Sequence, residues 1–159
     1  MRELILLRHA HAEPPDAGQA DLDRPLSPEG LAEAEAAGRW LAEQGLVPDC
    51  VLCSPARRTR ETLEAVLGIV GYVEQRLEDS VYEATSGTLA ALADAHRECD
   101  RVLLVGHNPG MERLAALLHS GQSGEYRGMP PGSVAVLAFN DDDAPLEPGS
   151  ARLAAFWWP

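Results

Sequence analysis

The chain has 159 residues, with 45% hydrophobic and 24% charged side chains, which suits one folded domain with a real core and excludes a disordered chain. Its formal charge of −12 excludes a nucleic-acid-binding surface, because phosphate backbones need a basic face. A small phosphate pocket remains open to it, since a few arginines suffice to make a site locally positive.

The first element is the apolar run Leu4 to Leu7, the pattern of a strand buried on both faces of a parallel sheet. It runs directly into "RHAHAE", placing Arg8 and His9 where chemistry is usually set, at a strand exit facing a crevice. A polar, proline-containing loop follows, "AEPPDAGQADLDRPL". The segment "SPEGLAEAEAAGRWLAEQG" then reads as a helix, capped by Ser27, opened by Pro28 and stopped by Gly45. Its expected inner face is Leu31, Ala34, Gly38 and Leu41, with Glu29, Glu33 and Glu43 outside.

"DCVLC" is the second strand. Cys50 and Cys53 have the spacing of a zinc or redox pair, but three residues apart on a strand they point to opposite faces, so they read as inert core. The three cysteines form no disulfide framework. "SPARRTRETLEAVLGIV" is the second helix, opened by Ser54 and Pro55. Arg57 shares a stripe with Glu61 and Glu64, an outer face, while Arg58 shares one with Thr62, Ala65 and Ile69 and turns toward the sheet.

"GYVEQRL" is a short strand, "TSGTLAALADAHREC" a third helix and "RVLLVGH" another buried strand. "NPGMERLAALLHSG" is the fourth helix, with Asn108 as cap and Pro109 at its start. "SVAVLAF" and "ARLAAFWW" close the fold as strands joined by the acidic hairpin tip "NDDDAPLEPG", which lacks the spaced ligands of a calcium loop. The alternation predicts one α/β domain over 1–159, a three-layer α/β/α sandwich with a mostly parallel central sheet. No stretch reaches the length of a membrane span, and the first apolar run is too short and wrongly flanked for a signal peptide. The expected location is the cytoplasm.

Three strand exits carry reactive residues: Arg8 and His9, then Arg57 and Arg58, then His107. Two of them lead into a helix start, at Ser54 and at Asn108, where free N–H groups and the positive dipole end suit a bound anion. If these strands are parallel neighbours, the exits converge on one crevice.

"LRHAHAE", "SPARRTRETL" and "VGHNP" resemble the ordered motifs of the histidine phosphatase superfamily, the phosphoglycerate mutase-like fold. "DLDRPLSPEG" is similar to the R-P-L-[ST]-x-x-G segment of its SixA-type phosphohistidine phosphatases. The resemblance runs from Leu7 to Pro109, and the chain from His119 onward carries no matching motif. It implies His9 as the nucleophile that becomes transiently phosphorylated, Arg8 and Arg58 as grips for the phosphoryl oxygens, and His107 as the group completing the pocket. No metal or other cofactor is implied. The implied partner is a phosphorylated protein carrying phosphohistidine, or a small phosphorylated molecule, with neither nucleic acid nor membrane involved.

Relatives that release alcohols need a carboxylic acid to protonate the leaving oxygen. Glu83 falls roughly where such an acid could sit, though its context does not match the mutase motif, and an exposed loop glutamate reads equally well. Because imidazole departs more readily than alkoxide, the weak acid signal favours phosphohistidine. Asp21 and Arg24 either line the pocket entrance or form a structural salt bridge. Three other readings compete: a broad phosphomonoesterase of the same fold, a metal-dependent hydrolase using His9 and His11 as an H-x-H pair, and a non-catalytic phosphate-binding module.

Overall fold

The computed structural model describes residues 1–122, 128–141 and 143–159. In chain order the elements are β1 (Glu3–Arg8), α1 (Pro28–Glu43), β2 (Cys50–Cys53), α2 (Arg57–Val70), β3 (Gln75–Leu77), α3 (Ser86–Asp94), β4 (Arg101–Gly106), α4 (Gly110–Ser120), β5 (Val134–Phe139) and β6 (Ala151–Trp157). Single 3₁₀ turns lie at Asp21–Asp23 and Asp79–Val81. The six strands form one sheet in the order β3-β2-β4-β1-β5-β6. The pairings β3–β2, β2–β4 and β4–β1 are parallel, and β5 alone runs against the others.

The continuous apolar runs have the expected cause: both faces of the sheet are covered. Leu4 and Leu6 of β1 join Leu52, Val102 and Leu104 in a core shared with Leu89 of α3 and Met111, Leu114 and Leu118 of α4. Ile5 and Leu7 point the other way, into a core with Ala37 and Leu41 of α1 and Leu63, Val66 and Leu67 of α2. This is the predicted three-layer α/β/α sandwich. Cys50 belongs to the first core and Cys53 to the second. Burial pushes both thiols up to about 12, which keeps them protonated and inert.

Several boundaries differ from the sequence pattern. On α1, Ala34, Gly38 and Leu41 are buried as expected, but Leu31 is 48% exposed and Gly30 takes its place inside. The close approach of the chain after β1 decides this: a Cβ on residue 30 would lie 1.9 Å from the His11 carbonyl oxygen, so only glycine fits. Glu33 is half-buried rather than outside, because its carboxylate accepts from the His11 N–H at 2.8 Å. α2 begins at Arg57 with Ala56 as its N-cap residue, since Ser54 is still tied into the sheet by a bond from its N–H to the Val105 carbonyl. Ile69, expected on the inward stripe, is 39% exposed.

α3 stops at Asp94 rather than Cys99, and α4 starts at Gly110 with Pro109 at the N-cap position. Asn108 still serves that helix, its Oδ1 accepting from the Glu112 N–H at 3.3 Å. β3 is confined to Gln75–Leu77 because α2 runs to Val70 and Gly71 (φ +108°) breaks it. β5 and β6 pair antiparallel as expected, while Asp142 in their acidic connection lies outside the described residues. No helix among the described residues is long and apolar enough to cross a membrane.

Candidate active site

The sheet register brings the reactive exits together. Arg8 pairs with Gly106 and Cys53 with Val105, so His9, Ser54 and His107 leave three adjacent strands at one level. His9 is pinned there by its own backbone: its N–H donates to the Gly106 carbonyl and its carbonyl accepts from the Gly132 N–H, each at 3.1 Å. The His9 and His107 rings lie 5.3 Å apart, tilted by 57°.

The hydrogen bonds assign the tautomers. His9 Nδ1 donates to the Ala10 carbonyl at 2.7 Å, which leaves the lone pair on Nε2. His107 Nδ1 accepts from Arg58 Nη2 at 3.4 Å, and its Nε2–H donates to Ser54 Oγ at 2.8 Å. Both rings are kept neutral. Burial, with the nearby arginines, lowers His9 to about 4 against the opposing pull of the Ala10 carbonyl. Burial, His9 and Arg58 lower His107 to about 3.

Two buried or half-buried arginines frame the pair. Arg58 is 6% exposed; Nη1 donates to the Asp21 carbonyl at 2.8 Å and Nη2 to Asp21 Oδ2 at 2.9 Å. Arg57 points outward and pairs with Glu61 at 3.1 Å, as the helix stripes require. Arg8 Nη1 donates to the Met129 carbonyl at 2.7 Å, while its Nε is buried with no partner among the described residues. An unpaired buried donor of a guanidinium suits an anionic oxygen, since leaving it unmet is costly.

The remaining sequence candidates divide by what they touch. Asp21 and Arg24 form the salt bridge, at 3.1 Å, and Asp21 also reaches Arg58. Ser54 is fully buried and meets His107 rather than the pocket. Asn108 Nδ2 donates to Glu112 and to the Met129 carbonyl, the same oxygen that holds Arg8. Ser54 and Asn108 therefore position catalytic candidates. Glu83 is exposed and has an unusual positive φ of 57°. It lines a cavity of about 500 Å³ with Thr85, Ser86, His107, Asn108 and Arg113.

His11 turns away from His9 into the N-cap of α1, its Nδ1 bonded to Ser27 Oγ at 2.7 Å. The two imidazoles of the H-x-H pair thus serve different elements. Sequence reasoning missed Tyr82, whose hydroxyl donates to Asp21 Oδ2 at 2.5 Å and whose ring meets His107 edge-on at 5.5 Å. It also missed Thr62, which accepts from the Ala10 N–H and donates to the Arg58 carbonyl, tying the R-H loop to α2. Thr62 was legible as a polar residue on the Arg58 stripe; Tyr82 carried no such signal.

Comparison with known proteins agrees with this geometry. Residues 4–96 match the model of the histidine phosphatase superfamily (branch 1). An uncharacterized protein of Mycobacterium tuberculosis is 38% identical over 163 residues, covering 96% of this chain and 99% of its own. A solved structure from Agrobacterium tumefaciens, assigned as a phosphohistidine phosphatase SixA, is 34% identical and superposes with a TM-score of 0.83 over 99% of both chains. One from Nakamurella multipartitia, assigned likewise, is 33% identical, with a TM-score of 0.84 over 99% of this chain and 96% of its own. The chain belongs to branch 1 of the histidine phosphatase superfamily, among its SixA-type members.

Proposed function

We propose that the protein is a metal-independent phosphatase that uses His9 as nucleophile and dephosphorylates phosphohistidine on a partner protein. Membership in the superfamily supports phosphatase activity, and the neutral His9 with its free Nε2 supports the covalent route. The Nε2 lone pair forms a bond to phosphorus as the bond to the leaving nitrogen breaks, its electron pair staying with that nitrogen. Water then attacks the phosphorylated His9; the P–N pair returns to Nε2, and the phosphate carries off both protons of the water. Arg8 and Arg58 meet the charge on the equatorial oxygens, which is where phosphoryl transfer needs stabilisation.

The observation that carries the choice of substrate is the state of the carboxylate at the site. Asp21 touches two arginines and a phenol, which hold it ionised, well below the usual carboxylate range. It has no proton to give to a departing alkoxide, whereas an imidazole already protonated on its distal nitrogen leaves neutral and needs none from the enzyme. The two solved SixA relatives, assigned to phosphohistidine, support the same choice.

A broad phosphomonoesterase is the second reading, favoured by Glu83 in the cavity beside His107. Comparing kcat/KM on a phosphohistidine protein with a panel of phosphate esters decides between them. The phosphohistidine protein is expected to be the better substrate, and Glu83→Gln is expected to leave that reaction within about threefold. A preference for esters that Glu83→Gln abolishes would move the assignment. His9→Ala is expected to lower turnover by several orders of magnitude, and quenched wild-type enzyme to carry a phosphoryl group stable to base and labile to acid. Full activity in excess chelator is expected; a loss restored by a divalent ion would overturn the metal-free route.

A further inference from the structure

The arginine expected to grip the phosphoryl group already holds a carboxylate of the chain itself. Asp21 sits in the 3₁₀ turn Asp21–Asp23. Its Oδ2 accepts from Arg58 Nη2 at 2.9 Å and from the Tyr82 hydroxyl at 2.5 Å, and its Oδ1 accepts from Arg24 Nη1 at 3.1 Å. These donors come from three different parts of the chain. The same Arg58 Nη2 lies 3.4 Å from His107 Nδ1, and the Tyr82 ring packs edge-on against His107. The carboxylate is therefore fixed against Arg58 and Tyr82, the two side chains that meet His107. A carboxylate has about four acceptor directions, and the bonds described use three. Among the other acids, Glu112 and Glu33 act on Arg8, and Glu83 is an exposed residue of the cavity beside His107.

We infer that Asp21 is a specificity-determining residue that selects the leaving group by charge, favouring a protonated nitrogen heterocycle over a group that departs as an oxyanion. The inference rests on the phosphatase reading above. When a phosphoimidazole protonated on its distal nitrogen reacts, the electron pair of the breaking P–N bond neutralises the ring. Neutral imidazole departs, and its distal N–H can donate to the free acceptor direction of Asp21. When an aryl ester reacts, the pair of the breaking P–O bond leaves as phenolate, and a new negative charge develops beside a fixed one. The sign of the interaction differs between the two substrates. A carboxylate that only held Arg58 in place would affect every phosphoryl donor alike.

The test is Asp21→Asn, which keeps an acceptor oxygen and the size of the side chain while removing the charge. kcat/KM is measured on N-phosphoimidazole and on a series of aryl phosphates. The ratio of phosphoimidazole to aryl activity is expected to fall at least about tenfold, with the smallest loss of aryl turnover for the more basic phenolates. Asp21→Glu, which keeps the charge, is expected to hold the ratio within about threefold of wild type even if both rates drop; Asp21→Ser replaces Asp21→Asn if the latter does not fold. Equal losses on all substrates, or no change on any, would overturn the inference. Wild-type enzyme inactive on both phosphoimidazole and phosphohistidine protein would overturn the phosphohistidine assignment alone. The aryl series then still judges Asp21, by whether the variant's activity relative to wild type rises with phenolate basicity.

Discussion

At the scale of single residues, two neighbouring arginines test the site most sharply. Arg58 is buried against Asp21 and His107, whereas Arg57 is exposed and meets only Glu61 among the described pairs. Losing one well-placed transition-state donor costs about a hundredfold or more in rate, and an exposed i,i+4 ion pair is worth little. Arg58→Ala is therefore expected to lower kcat/KM at least about a hundredfold and Arg57→Ala less than about tenfold. The reverse order on one substrate would place the wrong face of α2 in the site. This choice was legible in the sequence, because helical stripes three and four residues apart separate the two side chains. The Asp21–Arg58 contact was not legible. It joins residues 37 apart through a loop without periodicity, and no pattern rule reports such a contact.

At the scale of elements, the strand-to-helix junctions hold the chemistry in place, and their tightness is testable. α1 approaches the loop after β1 so closely that a Cβ on Gly30 would meet the His11 carbonyl oxygen at 1.9 Å. Gly68, on α2, has nothing within 4 Å of the same position. Gly30→Ala must move α1 or the R-H loop, and overpacking of this kind costs about 1–3 kcal/mol. Gly68→Ala gains helix propensity without a clash, worth about 0.5–1 kcal/mol. Urea unfolding of both variants is expected to give opposite signs, and Gly30→Ala is expected to lower kcat as His9 shifts with its loop. A neutral Gly30→Ala would show that the junction yields. Element types followed from periodicity and caps, as for Ser27, whose side chain accepts from the Gly30 N–H. The true starts of α2 and α4 did not follow. Ser54 and Asn108 have capping chemistry by type, but sheet pairing holds the Ser54 N–H and Met129 draws the Asn108 amide.

At the scale of the whole molecule, the site carries a cost that appears in the pH dependence of stability. Strand order was not legible in the sequence, yet it is what buries His9 beside His107 between β1 and β4. That burial holds the two rings at about 4 and about 3, below the ordinary 6.5. In the unfolded chain both protonate near 6.5, so between about 4 and 6.5 the unfolded state binds more protons. Stability from these rings is fully present above 6.5 and is lost as pH falls through that window. Asp21 is also lowered, from 3.8 downward, so its contribution persists through the window and is lost only as pH falls below it. Each histidine adds a slope of up to about 1.4 kcal/mol per pH unit. His107→Gln keeps an N–H for Ser54 and removes one titration, so it is expected to flatten the slope of unfolding free energy by up to that amount between pH 4.5 and 6. Parallel profiles for wild type and variant would mean that His107 is not held neutral by the fold, and the neutral pair at the centre of the site would have to be abandoned.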